Sequence, residues 1–385
     1  MLTVFTPTYN RAHTLPRTYQ SLCSQTDFCF EWLVIDDGSV DETEKLLIKW
    51  SEEAPFPIRY VKRPHGGKHR AINYALKIAE GEAFTFLDSD DYFVPEAVAD
   101  IRQWFEQIME SKELCGICAR RGNDTENPIG GKAMFAGEYI DLPQYAQPLK
   151  RYNLFYDATP VYKTEILRKF PFPEFEGEDF MPESVQLVPM AMAGYLTRWY
   201  DKVLQICEYR SDGLTHQGIL LLWKNPHGYL RFLEIEEKAG DLSHDQAERD
   251  RFLLYSYWHG RKKFPAIDRY EHKFLAVMDA LQRFFMQHRW NHIAVYGLGE
   301  AFCIFRLFLA ELPVTIAYGI DQHEKRIPEL PAFTTSHIGT PPVDGCVICL
   351  KHPDASARDF CQAHFREVYD MQELMGEMWR FLWCD

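Results

Sequence analysis

The sequence predicts an α/β fold built on a mainly parallel β-sheet, and two observations support this. Short apolar runs alternate with helical patterns over the first hundred residues, and several of these runs end abruptly in polar, acid-rich loops. Strands and helices that alternate in this way form parallel sheets with helices on both faces. Ligands bind outside the carboxyl ends of such strands. We therefore expect a binding site along one edge of the sheet.

The elements of this pattern follow one another in a regular order. They are a strand at 2–5, a helix at 15–24, a strand at 31–35, a helix that carries Leu46, Leu47 and Trp50, a strand at 58–61, a helix at 71–79 and a strand at 84–87. Gly, Asp and Pro clusters separate the elements. The polar loops at 6–11, 36–39 and 88–91 follow strands, so they are expected to meet at one edge of the sheet.

Composition narrows the classes of function. The chain has 385 residues, which is long enough for two or three domains. Its formal net charge of −14 argues against nucleic acid as a partner. The first residues do not form a signal-peptide pattern, and no uncharged apolar run reaches the roughly 18 to 20 residues of a spanning helix. We predict a cytoplasmic protein.

Ten cysteines without secretory targeting predict reduced thiols. Two C-x-x-C pairs, Cys115/Cys118 and Cys346/Cys349, raise the alternative of a four-cysteine zinc site. Both pairs lie in apolar, strand-like runs without the turn residues of a zinc knuckle. Buried thiols are therefore the favoured interpretation.

Three carboxylates crowd the end of the apolar run at 84–87. Asp88, Asp90 and Asp91 repel one another there, so they stay ionised only if a cation or hydrogen-bond donors compensate them. Mg²⁺ or Mn²⁺ is the hard divalent ion that suits carboxylate ligands. The alternative is a solvated acidic turn, because Asp and Ser favour turns without any ligand.

The stretch HGGKHR supplies local positive charge in an acidic chain. Its paired glycines allow close backbone approach, and Lys68 and Arg70 place two cations, with the titratable His69 between them, ahead of a helix. The stretch is not a Walker A loop, which needs a longer spacing and a Lys-Ser/Thr end. Contact with the base or diphosphate of a nucleotide is the preferred interpretation, and solvated surface charges are the alternative.

Four motifs, in this order and spacing, resemble the nucleotide-binding half of glycosyltransferase family 2, which has the GT-A fold. They are TPTYNRAHTLPRTYQSLCSQ, WLVIDDGSVDET, GGKHRAINYAL and FLDSDD. The resemblance covers residues 1–110. A weaker one continues through VYKTEIL, PFPEFEGEDFMPE and ICEYRSDGLT to residue 215 and is similar to bacterial members that build capsular or lipopolysaccharide glycans.

The resemblance implies roles for single residues. The family holds the nucleobase with its first loop and with the acid after the second strand, here Thr8, Tyr9 and Asp37. The alternative is that Asp36 and Asp37 cap the next helix or make an Asx-turn. By the same correspondence Asp88 contacts the ribose and Asp90 binds the metal, with the neighbouring acid in support. The nucleotide-binding set implied in this way is Pro7, Thr8, Tyr9, Asn10, Arg11, Asp37, Lys68, Arg70 and Asp88.

A general base is expected in the acid-rich segment 174–183. In the family an acid near this position removes the proton of the acceptor hydroxyl. Glu178 is the leading candidate, Asp179 is the second and Glu183 is the third. The alternative for each of them is an acid at a helix N-terminus.

The resemblance fades beyond residue 215, and the rest of the chain predicts two further parts. Residues 216–290 predict a helical connector, whose aromatic stripes indicate core packing, with peripheral membrane contact as the alternative. Residues 291–385 predict a truncated Rossmann-like domain with Gly297, Gly299 and a later acid, Asp321. Phe302 replaces the third glycine of a dinucleotide fingerprint. Packing, dimerisation into a homo-oligomer or acceptor recognition is therefore favoured over NAD binding.

Together these interpretations predict a metal-dependent, inverting glycosyltransferase with a GT-A domain at 1–215. Its partners would be a nucleoside diphosphate sugar, with UDP as the expected nucleotide, and a hydroxyl of a surface glycan or lipid-linked glycan. It would act in the cytoplasm or at the inner face of the membrane. The alternatives are a sugar nucleotidyltransferase and a non-catalytic nucleotide-binding protein with a Rossmann-like sensor domain.

Overall fold

The chain forms two compact units, Met1–Leu242 and Ser243–Asp385. The structure, a computed structural model, describes residues 1–207, 218–261, 264–323, 330–335, 342–350 and 354–382. The unit boundary differs from the domain boundaries expected at 215 and 290. Helices do occupy the described part of 216–290, but they are divided between the two units.

The first unit is an α/β domain. Its strands are Leu2–Thr8 (β1), Phe30–Asp36 (β2), Ile58–Lys62 (β3), Ala83–Phe86 (β4), Tyr92–Phe93 (β5), Leu114–Gly122 (β6), Tyr139–Leu142 (β7), Ala158–Lys163 (β8) and Leu196–Ile206 (β9). Its helices are Leu15–Cys23 (α1), Thr43–Glu53 (α2), Lys68–Ile78 (α3), Ala97–Glu106 (α4), Ala146–Arg151 (α5), Thr164–Leu167 (α6), Ser184–Met192 (α7), Ile219–Lys224 (α8) and Pro226–Ala239 (α9).

The strands form one sheet in the order β3-β2-β1-β4-β8-β6-β9-β5, with β7 paired to β9. The first four strands run parallel, as the strand–helix alternation predicted. Strand β8 lies antiparallel between β4 and β6. Because β1 pairs with both β2 and β4, the loops that follow these three strands leave the sheet at the same edge.

Apolar side chains cover both faces of this sheet. Val4 and Trp32 belong to one buried cluster with Leu47, whereas Phe5 and Leu33 belong to another. This alternation along β1 and β2 is expected of strands buried on both faces. The predicted α/β fold with a mainly parallel sheet is confirmed.

Helix α9 packs into the first unit rather than forming a separate connector. Its Ile235 is buried in the same apolar cluster as Ala75 of α3 and Val185 of α7. Helix α9 therefore becomes part of the scaffold that carries the loop 172–183.

The second unit begins with helices and ends in a small sheet. Its elements are His244–Trp258 (α10), Glu271–His288 (α11), His292–Tyr296 (β10), Glu300–Leu309 (α12), Thr315–Asp321 (β11), Ala332–Thr334 (β12), Gly345–Ile348 (β13), Ala355–His364 (α13), Val368–Asp370 (β14), Met371–Met375 (α14) and Glu377–Leu382 (α15). The strand order is β12-β11-β10-β13-β14, and every pair is parallel. This is a Rossmann-like arrangement, as predicted for 291–385.

The glycine turn of the second unit is held by its own acid. Gly297 follows β10 with φ of +87°, a conformation that favours glycine. The Asp321 carboxylate at the end of β11 accepts a hydrogen bond from the Leu298 amide at 2.8 Å. This acid therefore stabilises the turn. The role of this unit in packing rather than NAD binding stays a prediction.

The C-x-x-C pairs are buried thiols. Cys115 and Cys118 lie in β6, and Cys346 and Cys349 are buried in and after β13. Burial raises the pKa of the Cys115 thiol to about 11. No group of three or more His, Cys, Asp or Glu side chains in the described residues is arranged to hold a metal, so the zinc alternative gains no support.

A search of the helices in the described ranges finds none that is both long and apolar enough to cross a bilayer.

Candidate active site

The parallel register brings the loops after β1 and β2 side by side. Thr8 pairs with Asp36 in the sheet, and the Asp37 amide donates to the Thr8 carbonyl at 2.8 Å. Tyr9 lies at the surface beyond this contact, with its ring stacked on the His65 imidazole at a centroid distance of 4.5 Å. Loops from β1, β2 and β3 therefore form one end of the site.

Asp37 organises the glycine-rich loop. Its two carboxylate oxygens accept hydrogen bonds from the amides of Gly66 and Gly67, each at 2.8 Å. The His65 Nδ1 atom lies 2.8 Å from the same carboxylate. Gly67 has a φ of +92°, and a Cβ there would lie 1.7 Å from the Asp179 carbonyl oxygen, so only glycine fits.

Asp36, the neighbouring acid, holds the turn at DDGS. A turn contact of this kind was the alternative to nucleotide binding for the two acids. It is fully buried, and its carboxylate accepts from the Ser39 amide and the Tyr60 hydroxyl, both at 2.7 Å. Burial first, and then this carboxylate, raise the pKa of Tyr60. The two acids of DDGS therefore have different tasks.

The first loop is tied to the second by Asn10. Its amide donates to the Ser39 Oγ and its side-chain Oδ1 accepts from the Val40 amide, both at 2.8 Å. Its φ of +54° suits Asn better than most residues. Thr8 is buried, and its hydroxyl has no hydrogen-bond partner in the described residues. Of these predicted nucleotide contacts, Asn10 positions the loop and Thr8 offers an unsatisfied polar atom.

Asp88 is neutralised by two cations. Its carboxylate lies 2.8 Å from the Lys68 Nζ and 3.5 Å from the Arg121 Nη1. Burial alone would raise the pKa of Asp88, but Lys68 and then Arg121 outweigh burial and bring this pKa to about 2. Asp88 is therefore ionised and held in place at the end of the strand.

Asp91 is a buried support for the acidic loop. Its carboxylate accepts from the Gln205 amide at 2.7 Å and lies 3.6 Å from Arg121 Nη1. Burial first, and then Asp88, raise the pKa of Asp91 to about 6. These contacts agree with the supporting role predicted for it.

Asp90 lies in the chain between Asp88 and Asp91, the two acids that Arg121 contacts. Burial first, and then repulsion by Asp88, raise the pKa of the Asp90 carboxyl, whereas Arg11 and Lys68 lower it. A divalent cation beside this carboxylate would relieve the repulsion. Mg²⁺ commonly binds one or two carboxylates together with substrate phosphates. The residues present therefore fit a metal that a phosphate-bearing ligand helps to hold.

Arg121 was not predicted from the sequence. It lies on β6, its side chain is 14% exposed, and it contacts both Asp88 and Asp91. Its Nε atom has no partner among the described residues. The sequence feature that could have identified Arg121 is the pair of arginines in ICARRG. Arginines inside an apolar strand are rarely buried without acidic partners.

The side chains of Lys68 and Arg70 contact different parts of the site. Lys68 bridges Asp88 and Glu183, with its Nζ 3.0 Å from the Glu183 carboxylate. Arg70 donates to the Phe175 carbonyl and lies 3.6 Å from the Glu174 carboxylate. Lys68 thus lies beside the acidic loop, whereas Arg70 holds the segment around 175. The contact of Arg70 with a nucleotide stays a prediction.

Glu178 caps a helix, which was the alternative considered for it. Its carboxylate accepts from the amides of His227 and Gly228 at 2.8 and 2.9 Å, in the first turn of α9, and lies 2.7 Å from His227 Nδ1. The side chain is buried. Both oxygens of the buried Glu178 carboxylate are thus engaged within the protein, and its role as the general base stays a prediction that these contacts do not favour.

Asp179 projects from the same segment toward the glycine-rich loop. Its side chain is 59% exposed, and its Oδ2 lies 3.9 Å from His65 Nε2. Its backbone amide donates to Asn225 Oδ1 at 2.9 Å, which fixes the segment. Of the three acids, Asp179 best combines access with proximity to the nucleotide loops.

A cavity of about 340 Å³ adjoins the acidic loop. Arg121 and Glu183 line it and also contact Asp88 and Lys68, so the cavity is continuous with the charged cluster. Aromatic side chains form much of its wall, namely Phe86, Phe155, Tyr156, Tyr162, Phe172 and Trp199.

His69 is a buried histidine behind the site. Neither ring nitrogen has a hydrogen-bond partner in the described residues, and its ring meets Phe172 edge to face. Burial first, and then Arg70, lower the pKa of His69. The unfolded chain therefore takes up a proton below about pH 6.5 that the folded chain resists, and the free energy of unfolding falls as pH decreases through that range.

We expect His69→Leu to reduce this loss of stability. Urea unfolding at pH 7.5 and pH 5.5 measures it: the difference in free energy of unfolding between the two pH values should be smaller in the variant. His272→Leu, at an exposed position on α11, is the control and should keep the wild-type difference. An unchanged difference in His69→Leu would show that other groups cause the acid sensitivity.

The part of the chain that is similar to known proteins includes this site. The family model described as "Glycosyl transferase family 2" matches residues 3–204. The chain is 35% identical over 107 residues to the poly(ribitol-phosphate) beta-N-acetylglucosaminyltransferase TarS of Staphylococcus aureus, covering 27% of this chain and 18% of the relative. It is 32% identical over 147 residues to the chondroitin synthase of Pasteurella multocida, covering 38% and 14%.

Other relatives and solved structures also match only part of this chain. An uncharacterized glycosyltransferase of Mycoplasma pneumoniae is 26% identical over 157 residues, covering 40% of this chain and 52% of the relative. The chain thus spans about half or less of the length of these relatives. Among solved structures, TarS 1–349 of S. aureus with UDP-GlcNAc aligns with a TM-score of 0.47 at 20% identity, covering 73% of this chain and 80% of the other.

Proposed function

Because the chain belongs to glycosyltransferase family 2 and is a glycosyltransferase, we propose that it transfers a sugar from a UDP-sugar, with metal assistance and inversion, to a hydroxyl of a surface glycan. The observation that carries this proposal is the position of Asp90 between Asp88 and Asp91, which Lys68 and Arg121 hold, at the sheet edge where the loops after the parallel strands converge. The names of TarS and chondroitin synthase support a polymeric acceptor.

The donor nucleotide would lie along the loops after β1, β2 and β3. Tyr9 offers an exposed aromatic ring for the base, and the Thr8 hydroxyl offers an unsatisfied polar atom. Asp37 shapes this surface through the glycine-rich loop, and the resemblance gives it a contact with the base. Asp88 would meet the ribose, since Lys68 and Arg121 hold it ionised at the strand end.

Asp90 would hold Mg²⁺ or Mn²⁺. A bound divalent ion neutralises charge that develops on the leaving diphosphate. Lys68 lies beside the same loop and adds a fixed positive charge there. Both effects stabilise a departing anion more than the bound donor, which is the condition for catalysis.

Asp179 would act as the general base. In the proposed step, its carboxylate takes the proton of the acceptor hydroxyl while that oxygen forms a bond to the anomeric carbon. The bond from this carbon to the diphosphate oxygen breaks, and its electron pair leaves with UDP. A single displacement of this kind inverts the anomeric centre and needs no covalent sugar–enzyme intermediate.

The acceptor would enter through the cavity beside Arg121 and Glu183. Its aromatic walls suit the apolar faces of sugar rings, and Glu183 at its edge is bound to Lys68. The cytoplasmic location, contact with the inner face of the membrane and a homo-oligomer remain predictions.

Donor turnover tests the proposal. Purified protein with Mn²⁺ is expected to release UDP from at least one of a panel of UDP- and GDP-sugars, faster with a glycan acceptor present. Formation of a nucleotide sugar from a sugar phosphate and UTP would instead indicate a nucleotidyltransferase. Absence of all turnover together with tight nucleotide binding would indicate the non-catalytic alternative and overturn the proposed function.

A further inference from the structure

We propose that His65 is a positioning residue that favours the protonated form of Asp179 during transfer. The inference rests on the proposed function, because it concerns the proton that the acceptor hydroxyl loses. No motif comparison assigned His65 a role. It follows from three contacts that converge on one imidazole ring.

The first contact orients the ring. His65 Nδ1 lies 2.8 Å from Asp37 Oδ2 and 3.2 Å from the Asp37 carbonyl oxygen. Both neighbours are acceptors, so Nδ1 carries a proton and donates it. In the neutral imidazole, Nε2 is then a lone-pair acceptor. Asp37 is itself held by the two glycine amides, which makes this orientation rigid.

The second contact holds the ring plane. The Tyr9 ring stacks on the imidazole with 25° between the planes. The backbone of His65 is also close-packed, since a Cβ at Gly38 would lie 3.1 Å from the His65 nitrogen. The imidazole therefore cannot turn away from the segment that carries Asp179 without losing both contacts.

The third contact joins the His65 ring to Asp179, the proposed general base. His65 Nε2 lies 3.9 Å from Asp179 Oδ2. At this distance an ionised carboxylate and a lone pair do not bond, and they repel weakly. The exposed Asp179 side chain can approach once it carries a proton, because its O–H can then donate to Nε2. A hydrogen bond to the neutral form of an acid raises its pKa.

The proposed contact thus strengthens as the reaction proceeds. The acceptor oxygen bonds to the anomeric carbon, its proton moves to Asp179, and the UDP oxygen leaves with the electron pair of its bond to that carbon. His65 gains and loses no proton in this step; it accepts a hydrogen bond from Asp179. An interaction made mainly in the transition state raises kcat rather than donor affinity.

The arrangement also predicts the effect of pH. The groups that face the His65 ring are Asp37 from the loop after β2, Tyr9 from the loop after β1 and Asp179 from the segment before α7. A proton on Nε2 would turn it into a donor that stabilises ionised Asp179. The carboxylate would then be a weaker base, so kcat should fall as His65 becomes protonated.

His65→Asn tests the inference with UDP-sugar and acceptor both saturating. The Asn amide can still donate to Asp37, but nothing replaces Nε2. We expect kcat to fall about tenfold, donor KM to stay within about twofold, and the acid limb of the kcat–pH profile to shift. His65→Gln, whose amide oxygen reaches the Nε2 position, should recover part of kcat. The exposed His272→Asn is the matched control.

A double variant makes the test specific. If His65 acts through Asp179, His65→Asn should cost little in an Asp179→Asn background, because the proton acceptor is already missing. An unchanged kcat in His65→Asn, or the same tenfold loss in both backgrounds, would overturn the inference while wild-type turnover still supports the proposed function. UDP binding by calorimetry confirms that each variant retains a folded donor site.

Discussion

Replacing Asp90 with Asn is expected to lower kcat by about 10² to 10³, the range seen when one electrostatic contact to a developing charge is lost. The substitution removes the charge that would hold the metal but keeps the shape of the side chain. Since burial and Asp88 already penalise the ionised form of Asp90, the fold should lose no stability. Turnover across a Mn²⁺ titration and the thermal midpoint of unfolding measure the two effects.

Loss of the Asp90 charge should also change how turnover depends on the concentration of Mg²⁺ or Mn²⁺. Wild-type turnover should vanish with a chelator and return with Mg²⁺ or Mn²⁺, whereas the variant should need more ion for its residual activity. Asp279→Asn is a suitable control, because Asp279 is exposed on α11 and pairs only with Arg283 in the described residues. Wild-type activity and ion dependence in Asp90→Asn would contradict the assignment of Asp90.

The second large effect is expected for Asp179→Asn. An amide cannot take the acceptor proton, so kcat should fall by about 10² to 10⁴, the usual contribution of a general base. Donor affinity should change little, because the Asp179 side chain is mostly exposed and approaches the loops that would bind the nucleotide at His65, 3.9 Å away. Single-turnover transfer and UDP binding by calorimetry separate chemistry from binding.

Glu178→Gln provides the contrast within the same segment. The Gln amide keeps the size of the side chain, but it cannot accept from both α9 amides and the His227 ring as the carboxylate does. We expect a loss of about 1 kcal/mol in the free energy of unfolding, typical of a lost helix cap, with a smaller effect on kcat than Asp179→Asn. If Glu178→Gln abolished transfer in a fully folded protein and Asp179→Asn did not, the assignment of the base would be reversed.

Two cations compensate two of the three acids in the acidic loop. Asp88 and Asp91 share Arg121, and Lys68 links Asp88 to Glu183. Burial and Asp88 raise the pKa values of both Asp90 and Asp91, but Asp91 is also held by Gln205 and Arg121. If Asp90 holds a divalent cation as proposed, a donor diphosphate would supply further ligands to that ion.

Much of the donor side could be predicted from the sequence because its residues are local. Strand patterns, the acids that end them and the glycines ahead of α3 occupy short, contiguous motifs, and a parallel sheet brings such strand ends to one edge. The fold of residues 1–110 and the acidic loop followed from these rules. Arg121 did not, because its acidic partners Asp88 and Asp91 lie thirty-three and thirty positions earlier in the chain.

The sequence by itself determined the α/β fold, the family and the acidic strand end after β4, since each depends on local pattern. Only the tertiary structure decided between acids of similar sequence context. Glu178 meets the first turn of α9, forty-nine positions away, whereas Asp179 faces His65. Arg70 turns to Phe175 while Lys68 stays with Asp88. In each pair the role depends on which distant donor or charge the fold brings within hydrogen-bond distance, and no local rule encodes that distance.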